Sequence, residues 1–127
     1  MKNNALDVQV GGSHYKNKKM QPIELITKTR CTFIQGCIWK YITRYKEKNG
    51  KEDIQKCIHY AQLAIQLKDN GQLGCKKLEI VKKYCSVNKL SANQRDVIVL
   101  TACDSYQRVI DKCKAMLKEK KKKKSIK

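Results

Sequence analysis

The stretch from Phe33 to Leu67 constrains the fold of this chain more than any other part of the sequence. Its apolar residues recur at steps of three and four, which is the spacing of one face of an α-helix. They are Ile34, Cys37, Ile38, Tyr41, Ile42 and Tyr45 in the first half, and Ile54, Cys57, Ile58, Ala61, Ala64 and Ile65 in the second. Between the halves lies Lys48-Asn49-Gly50, where glycine tolerates the positive φ at which a helix ends. The pattern predicts two amphipathic helices that fold back as an antiparallel hairpin.

The remaining sequence is also typical of helices. Pro22 suits the first turn of a short helix, and a further helix is expected from about Leu73 to Ser86. Ser91-Ala92-Asn93-Gln94 matches a capping box and predicts the start of a last long helix that continues to Leu117. Only one proline and six glycines interrupt the chain, and no alternating apolar run indicates a strand. The sequence therefore predicts an all-α fold.

The length and the charge set the domain organisation. At 127 residues the chain is one domain with a sizeable core. We expect a compact helical domain over residues 11–117, a flexible lead over residues 1–10, and a disordered basic tail over Lys118–Lys127. The net charge is +18, and the tail holds seven lysines and one glutamate, which leaves +12 on residues 1–117. A basic body suits anionic partners, and the tail is expected to add weak, non-specific contact with nucleic acid.

The seven cysteines favour a reducing compartment. Their number is odd and no Cys-x-x-Cys pair occurs, so they resemble neither a disulfide framework nor a zinc site. Cys37, Cys57, Cys103 and Cys113 have the spacing of buried helix positions, so we expect reduced, mostly buried thiols and no zinc. No apolar run approaches the ~18 residues that a membrane span needs, and residues 1–10 lack a signal-peptide core. These features predict a cytoplasmic protein without membrane association.

The polar residues of the central stretch allow two interpretations. They are Lys40, Arg44 and Lys48 toward the end of the first helix, and Glu52, Asp53, Lys56 and Tyr60 on the second. Bases at a helix end and acids at a helix start complement the helix dipole, so the set could be a solvated ladder of ion pairs. The same residues could instead form a site for an anion or a nucleotide.

A second candidate segment is Gly11-Gly12-Ser13-His14-Tyr15-Lys16. Its glycines would let backbone N–H groups approach an anion closely. Tyr15 offers a stacking face for a base, and His14 and Lys16 could contact phosphate. The same composition is also typical of a flexible leader.

Several enzyme classes lack their motifs in this sequence. No Gly-x-x-x-x-Gly-Lys-[Ser/Thr] occurs, so a standard P-loop is excluded. No Glu-x-x-Glu pair is present to build the carboxylate cluster of the all-helical nucleotide pyrophosphohydrolases. His14 and His59 have no partners at the spacing of metal ligands.

Three blocks together resemble a known family. They are Gly11-Gly12-Ser13-His14-Tyr15-Lys16, Gln21-Pro22-Ile23-Glu24, and the run from Gly36 through Lys40-Tyr41-Ile42, Arg44-Tyr45-Lys46, Lys48, Gly50 and Glu52-Asp53-Ile54 to Lys56. The chain is similar to small phage proteins of unknown function, whose best-described relative is a nucleotide kinase without a P-loop that phosphorylates deoxynucleoside monophosphates. The resemblance covers about residues 11–67, and residues 72–127, which comprise a helical extension at 72–117 and the basic tail, lie outside it.

The resemblance implies a nucleotide kinase in the host-cell cytoplasm that uses ATP or another nucleotide with Mg²⁺. It implies a homo-oligomer in which Lys40, Arg44 and Lys48 hold phosphates while Glu52 and Asp53 hold Mg²⁺ or orient the bases. The candidate catalytic residues are Lys40, Arg44 and Asp53; the candidate ligand-binding residues are His14, Tyr15, Lys16, Lys40, Arg44, Lys48, Lys56 and Tyr60; the candidate metal ligands are Glu52 and Asp53.

Two alternatives to the kinase stay open. One is a non-catalytic binder of a nucleotide or a nucleotide signal, and the other is an accessory protein associated with nucleic acid. This chain carries Cys37 where the family usually has asparagine, which affects the expectation of catalysis more than that of binding.

Overall fold

The computed structural model describes residues 5–7 and 18–126, with side chains as far as Glu119. Within these residues the chain forms six α-helices and one turn of 3-10 helix at Ala5–Asp7. The α-helices are α1 Pro22–Thr29, α2 Phe33–Arg44, α3 Lys51–Leu67, α4 Cys75–Val87, α5 Ala92–Ala102 and α6 Tyr106–Ile126. The described residues contain no strand, so the predicted all-α fold is confirmed.

Helices α2 and α3 lie antiparallel and are joined by a short connection. A capping box of Thr32 and Gln35 begins α2. The connection ends at Gly50, which has φ 49° and ψ −114° and donates its N–H to the carbonyl of Tyr45 at 2.8 Å. Three contacts run outward from the connection along the two helices: Arg44 with Asp53, Ile38 with Cys57, and Phe33 with Tyr60. Gly50 thus occupies the position where positive φ is needed.

The core lies between these two helices and the C-terminal pair, because α5 packs on α2 and α6 packs on α3. Trp39 is fully buried, and its indole N–H donates to the carbonyl of Ile98 at 3.1 Å. The carboxamide of Gln94 donates to the carbonyls of Ile42 and Thr43 at 3.0 and 3.2 Å. Carbonyls in the last turn of a helix lack partners within the helix, so α5 satisfies the C-terminal end of α2.

The prediction of one long helix from Ser91 to Leu117 is wrong, because the chain forms two helices that meet at Cys103-Asp104-Ser105. Asp104 has φ 58°, which interrupts the helix, and its carboxylate accepts hydrogen bonds from the Gly71 N–H and the Tyr106 hydroxyl. The apolar period continues on both sides of the break, so the pattern alone indicates a single helix. The break also leaves Cys103 exposed, which corrects the prediction that this residue lies in the core.

Four of the other six cysteines are buried. Cys37, Cys57, Cys85 and Cys113 are buried, Cys31 is half-buried, and Cys75 is exposed. Burial raises the pKa of Cys57 well above its usual value and that of Cys85 to about 11. These groups stay as neutral thiols at neutral pH.

Residues 118–126 continue α6, where the sequence predicts disorder, and no side chain is described after Glu119. Among the described side chains of α6, the last buried one is Met116. Among the described residues, no helix combines the length and the apolar character needed to cross a membrane.

Candidate functional site

Three cationic groups from two helices surround one tyrosine ring on the outer surface of α2 and α3. The Lys40 Nζ, the Arg44 Cζ and the Lys56 Nζ each lie 4.9 Å from the centroid of the Tyr41 ring. Lys40 and Arg44 are one turn apart on α2, and Lys56 reaches the ring from α3. We call Lys40, Tyr41, Arg44, Lys56 and Tyr60 the cationic cluster. Each cation over a ring contributes about 0.5–1 kcal/mol at an exposed site.

Two further rings extend this surface toward the start of α2. The Tyr60 ring lies 6.0 Å from the Tyr41 ring with an interplanar angle of 20°. The Phe33 ring lies 6.5 Å from the Tyr60 ring at 72°, and Phe33 is 79% exposed. The neighbouring Cys37 thiol, then burial and the Tyr41 hydroxyl, raise the pKa of Tyr60. The Tyr60 hydroxyl therefore stays protonated and can donate a hydrogen bond.

Below the surface, Arg44 forms a two-pronged ion pair with Asp53. Its Nε and one terminal nitrogen donate to the two carboxylate oxygens of Asp53 at 3.1 and 3.2 Å. The Asp53 side chain has no exposed area, and the Arg44 side chain is only 12% exposed. Planar pairing of this kind fixes the guanidinium. Asp53 therefore positions Arg44 under the Tyr41 ring.

Glu52 and Asp53 do not fit a shared Mg²⁺ site in this fold. Neighbouring residues on a helix point about 100° apart, and here one carboxylate is buried while the other is exposed. Both oxygens of Asp53 accept from Arg44, and Glu52 pairs with Lys56 at 3.4 Å. A magnesium ion needs carboxylate oxygens that converge on one point.

The other predicted site residues lie apart or outside the described chain. Lys48 is exposed in the α2–α3 connection. His14, Tyr15 and Lys16 lie outside the described residues, so their assignment stays a prediction. Lys18, on the far side of that gap, pairs with Glu47 of the connection at 2.9 Å.

Sequence reasoning assigned Tyr41 to the buried stripe and overlooked Phe33. In the structure Tyr41 is half-buried at the centre of the cluster, and Phe33 forms its aromatic end. The spacing from Phe33 to Cys37, Lys40 and Arg44 keeps one face of a helix, and this signal could have identified the surface.

A buried polar network on the other side of α2 was also missed. The Lys77 ammonium donates to the Gln35 carboxamide at 3.0 Å and to the Gly71 carbonyl at 2.8 Å. The Tyr106 hydroxyl donates to Asp69 at 3.0 Å and to Asp104 at 3.2 Å; burial, then these carboxylates, raise its pKa. These groups satisfy one another, so the network fixes the connection between α3 and α4.

The comparisons with known proteins reach this surface and stop before the C-terminal helices. The profile of a protein family of unknown function, DUF3310, matches residues 10–62, which is less than half of the chain. The matched residues include Phe33 and the whole cationic cluster. No curated protein and no solved structure is significantly similar to the chain.

Proposed function

We propose that the protein binds a nucleotide on the outer surface of α2 and α3, at the cationic cluster. The observation that carries this proposal is the convergence of three cations on the Tyr41 ring, each 4.9 Å from its centroid. Two of these cations are paired with the carboxylates of Asp53 and Glu52, and Lys40 adds a third positive charge, so the cluster keeps a net positive charge that attracts an anion. Phosphate oxygens accept charge-assisted hydrogen bonds from lysine and arginine, so a phosphate group is a suitable anion.

The ion pairs around the cluster support this interpretation. Arg44 is paired with Asp53, and Lys56 is paired with the exposed Glu52. Among the described residues, no carboxylate lies within 4.0 Å of the Lys40 ammonium. Lys40 is therefore the cation best placed to hold a phosphate, and Lys56 can exchange a solvated ion pair for one.

The rings explain why the ligand should be a nucleotide rather than a simple anion. Phosphate-binding cations beside exposed aromatic rings are the combination that binds nucleotides and single-stranded nucleic acid. Tyr60 and Phe33 continue from the cations as an aromatic surface. The basic body of the protein would attract such ligands over a longer range.

The proposal is limited to binding. Phosphoryl transfer depends on metal ions that bridge the phosphates and on a placed carboxylate. Asp53 is buried against Arg44, and Glu52 is exposed and paired with Lys56, so we assign no phosphoryl-transfer step to these residues. Binding without turnover would withdraw a nucleotide or a nucleotide signal from the enzymes of the host cell.

Calorimetric titration with matched variants tests the proposal. The Lys40→Ala/Lys56→Ala variant should bind nucleoside monophosphates at least tenfold more weakly than the wild type, because it loses two charged contacts. The Lys82→Ala/Lys83→Ala variant removes the same charge from exposed positions of α4 and should retain wild-type affinity. An equal loss of nucleotide affinity in both variants would show that the effect comes from net charge alone. A wild type that binds no nucleotide would refute the proposal.

A further inference from the structure

The candidate surface has an aromatic end and a cationic end, arranged along α2. Phe33, Cys37, Lys40 and Arg44 fall on one face of this helix, because their spacing is four, three and four residues. Seven residues separate Phe33 from Lys40, which corresponds to about 10 Å along the axis. A ligand that reaches both ends must therefore be elongated, with an apolar part and an anionic part.

Phe33 differs from the other exposed apolar residues by its surroundings. Single exposed apolar side chains are common and need no explanation. The Phe33 ring, however, contacts the Tyr60 ring of the cluster edge-on while 79% of the residue remains accessible to solvent. This arrangement holds the ring beside the cluster and leaves most of it accessible to a planar partner.

We infer that the nucleotide lies along α2 with its base at Phe33 and its phosphate at Lys40 and Lys56, so that Phe33 selects ligands that carry a base. This inference rests on the proposed function and adds the direction of the ligand to it. The reverse direction would place a phosphate beside an uncharged ring and a base among three cations. Charge complementarity favours the first arrangement.

Two probes that differ only in the base test the direction. Deoxyadenosine monophosphate carries a base, a sugar and one phosphate, whereas 2-deoxyribose 5-phosphate carries the same sugar and phosphate without the base. Phe33→Ala should weaken binding of the nucleotide about tenfold, the lower part of the range for one stacked base, and should leave binding of 2-deoxyribose 5-phosphate within about twofold of the wild type. Lys40→Ala should weaken binding of both probes, and Phe33→Tyr should restore nucleotide binding because it restores the ring.

Ile23→Ala provides the control for loss of an exposed apolar side chain, since Ile23 is 53% exposed on α1. It should leave the affinity for both probes unchanged, and circular dichroism should show that every variant is folded. An unchanged nucleotide affinity in Phe33→Ala, or an equal loss for both probes, would overturn the inference. A wild type that binds 2-deoxyribose 5-phosphate as tightly as the nucleotide would overturn it too, whereas a wild type that binds neither probe would refute the proposed function itself.

Discussion

Arg44 and Asp53 form a buried, two-pronged ion pair where α2 meets α3, with N···O distances of 3.1 and 3.2 Å. On sequence alone the same pair would be a surface contact that contributes about 0–1 kcal/mol. Burial changes the size of the effect, because removal of one partner leaves the other charge without compensation. Arg44 is thus a poor choice for testing a phosphate contact, and Lys40 and Lys56 are better ones.

We expect Arg44→Ala to lower the free energy of unfolding by about 3–5 kcal/mol, the usual cost of leaving a buried charge unpaired. The Arg44→Met/Asp53→Leu variant removes both charges and should recover most of that loss. Urea denaturation of the two variants measures the difference. A loss below about 1 kcal/mol in Arg44→Ala would show that the pair is solvated in solution.

Gly71 and Gly74 form a matched pair for testing the buried network. A Cβ atom at Gly71 would lie 2.3 Å from the Gln35 carboxamide, which is held by the Thr101 carbonyl and by Lys77, whereas a Cβ at Gly74 meets nothing within 4 Å. Gly71→Ala should therefore lower the free energy of unfolding by about 1–3 kcal/mol, as overpacking does. Gly74→Ala introduces no clash and should cost less than Gly71→Ala, namely the smaller preference for glycine over alanine at the N-cap of α4. Thermal unfolding of both variants compares them, and equal melting temperatures would contradict the packing around Gln35.

The stability of the protein should fall in alkaline solution. Burial raises the pKa of the Cys85 thiol from 9.0 to about 11, so between these values the unfolded chain releases a proton that the folded chain retains. Stability is therefore fully present below pH 9 and is lost as the pH rises toward 11. Urea unfolding midpoints at pH 8 and pH 10 measure the fall. In Cys85→Ala the fall should be smaller, and an identical pH dependence in both proteins would contradict the contribution of Cys85.

Removal of Lys118–Lys127 should leave the fold and nucleotide binding intact. Met116 is the last buried residue among the described side chains of α6, and residues 1–117 keep a charge of +12. The truncated protein should bind single-stranded DNA more weakly and with a smaller salt dependence, because fewer counterions are released. Titrations with a nucleotide and with DNA at two salt concentrations separate the effects. Loss of nucleotide binding on truncation would place the tail in the site.

The sequence predicted the helices that are marked by residues close to one another along the chain. The apolar stripes predicted α2 and α3, Pro22 predicted the start of α1, and the capping box at Ser91 predicted the start of α5. The sequence pattern did not predict the break at Asp104, because the hydrogen-bond partners of Asp104, Gly71 and Gln35, are more than 30 residues away in the chain. A long-range contact of this kind leaves no periodic signal in the sequence.

The sequence predicted only part of the candidate site, because contacts between residues far apart in the chain determine the rest. Helical spacing placed Lys40 beside Arg44, but it could not show that Asp53 is buried while its neighbour Glu52 is exposed. That difference depends on how α3 is rotated against α2 and α6, which is decided by packing of the whole core. The closeness of Lys56 to the Tyr41 ring has the same origin.

Because Gln94 completes the hydrogen bonds at the end of α2, and α6 covers the apolar face of α3, the first half of the protein depends on the second. On the ribosome, α3 is complete about 50 residues before Met116 in the core of α6 is added, a delay of roughly 3–10 s at the usual rates of synthesis. During that interval Trp39 and the stripes of both helices have no permanent cover. The nascent chain therefore needs protection from aggregation until its last helix has left the exit tunnel.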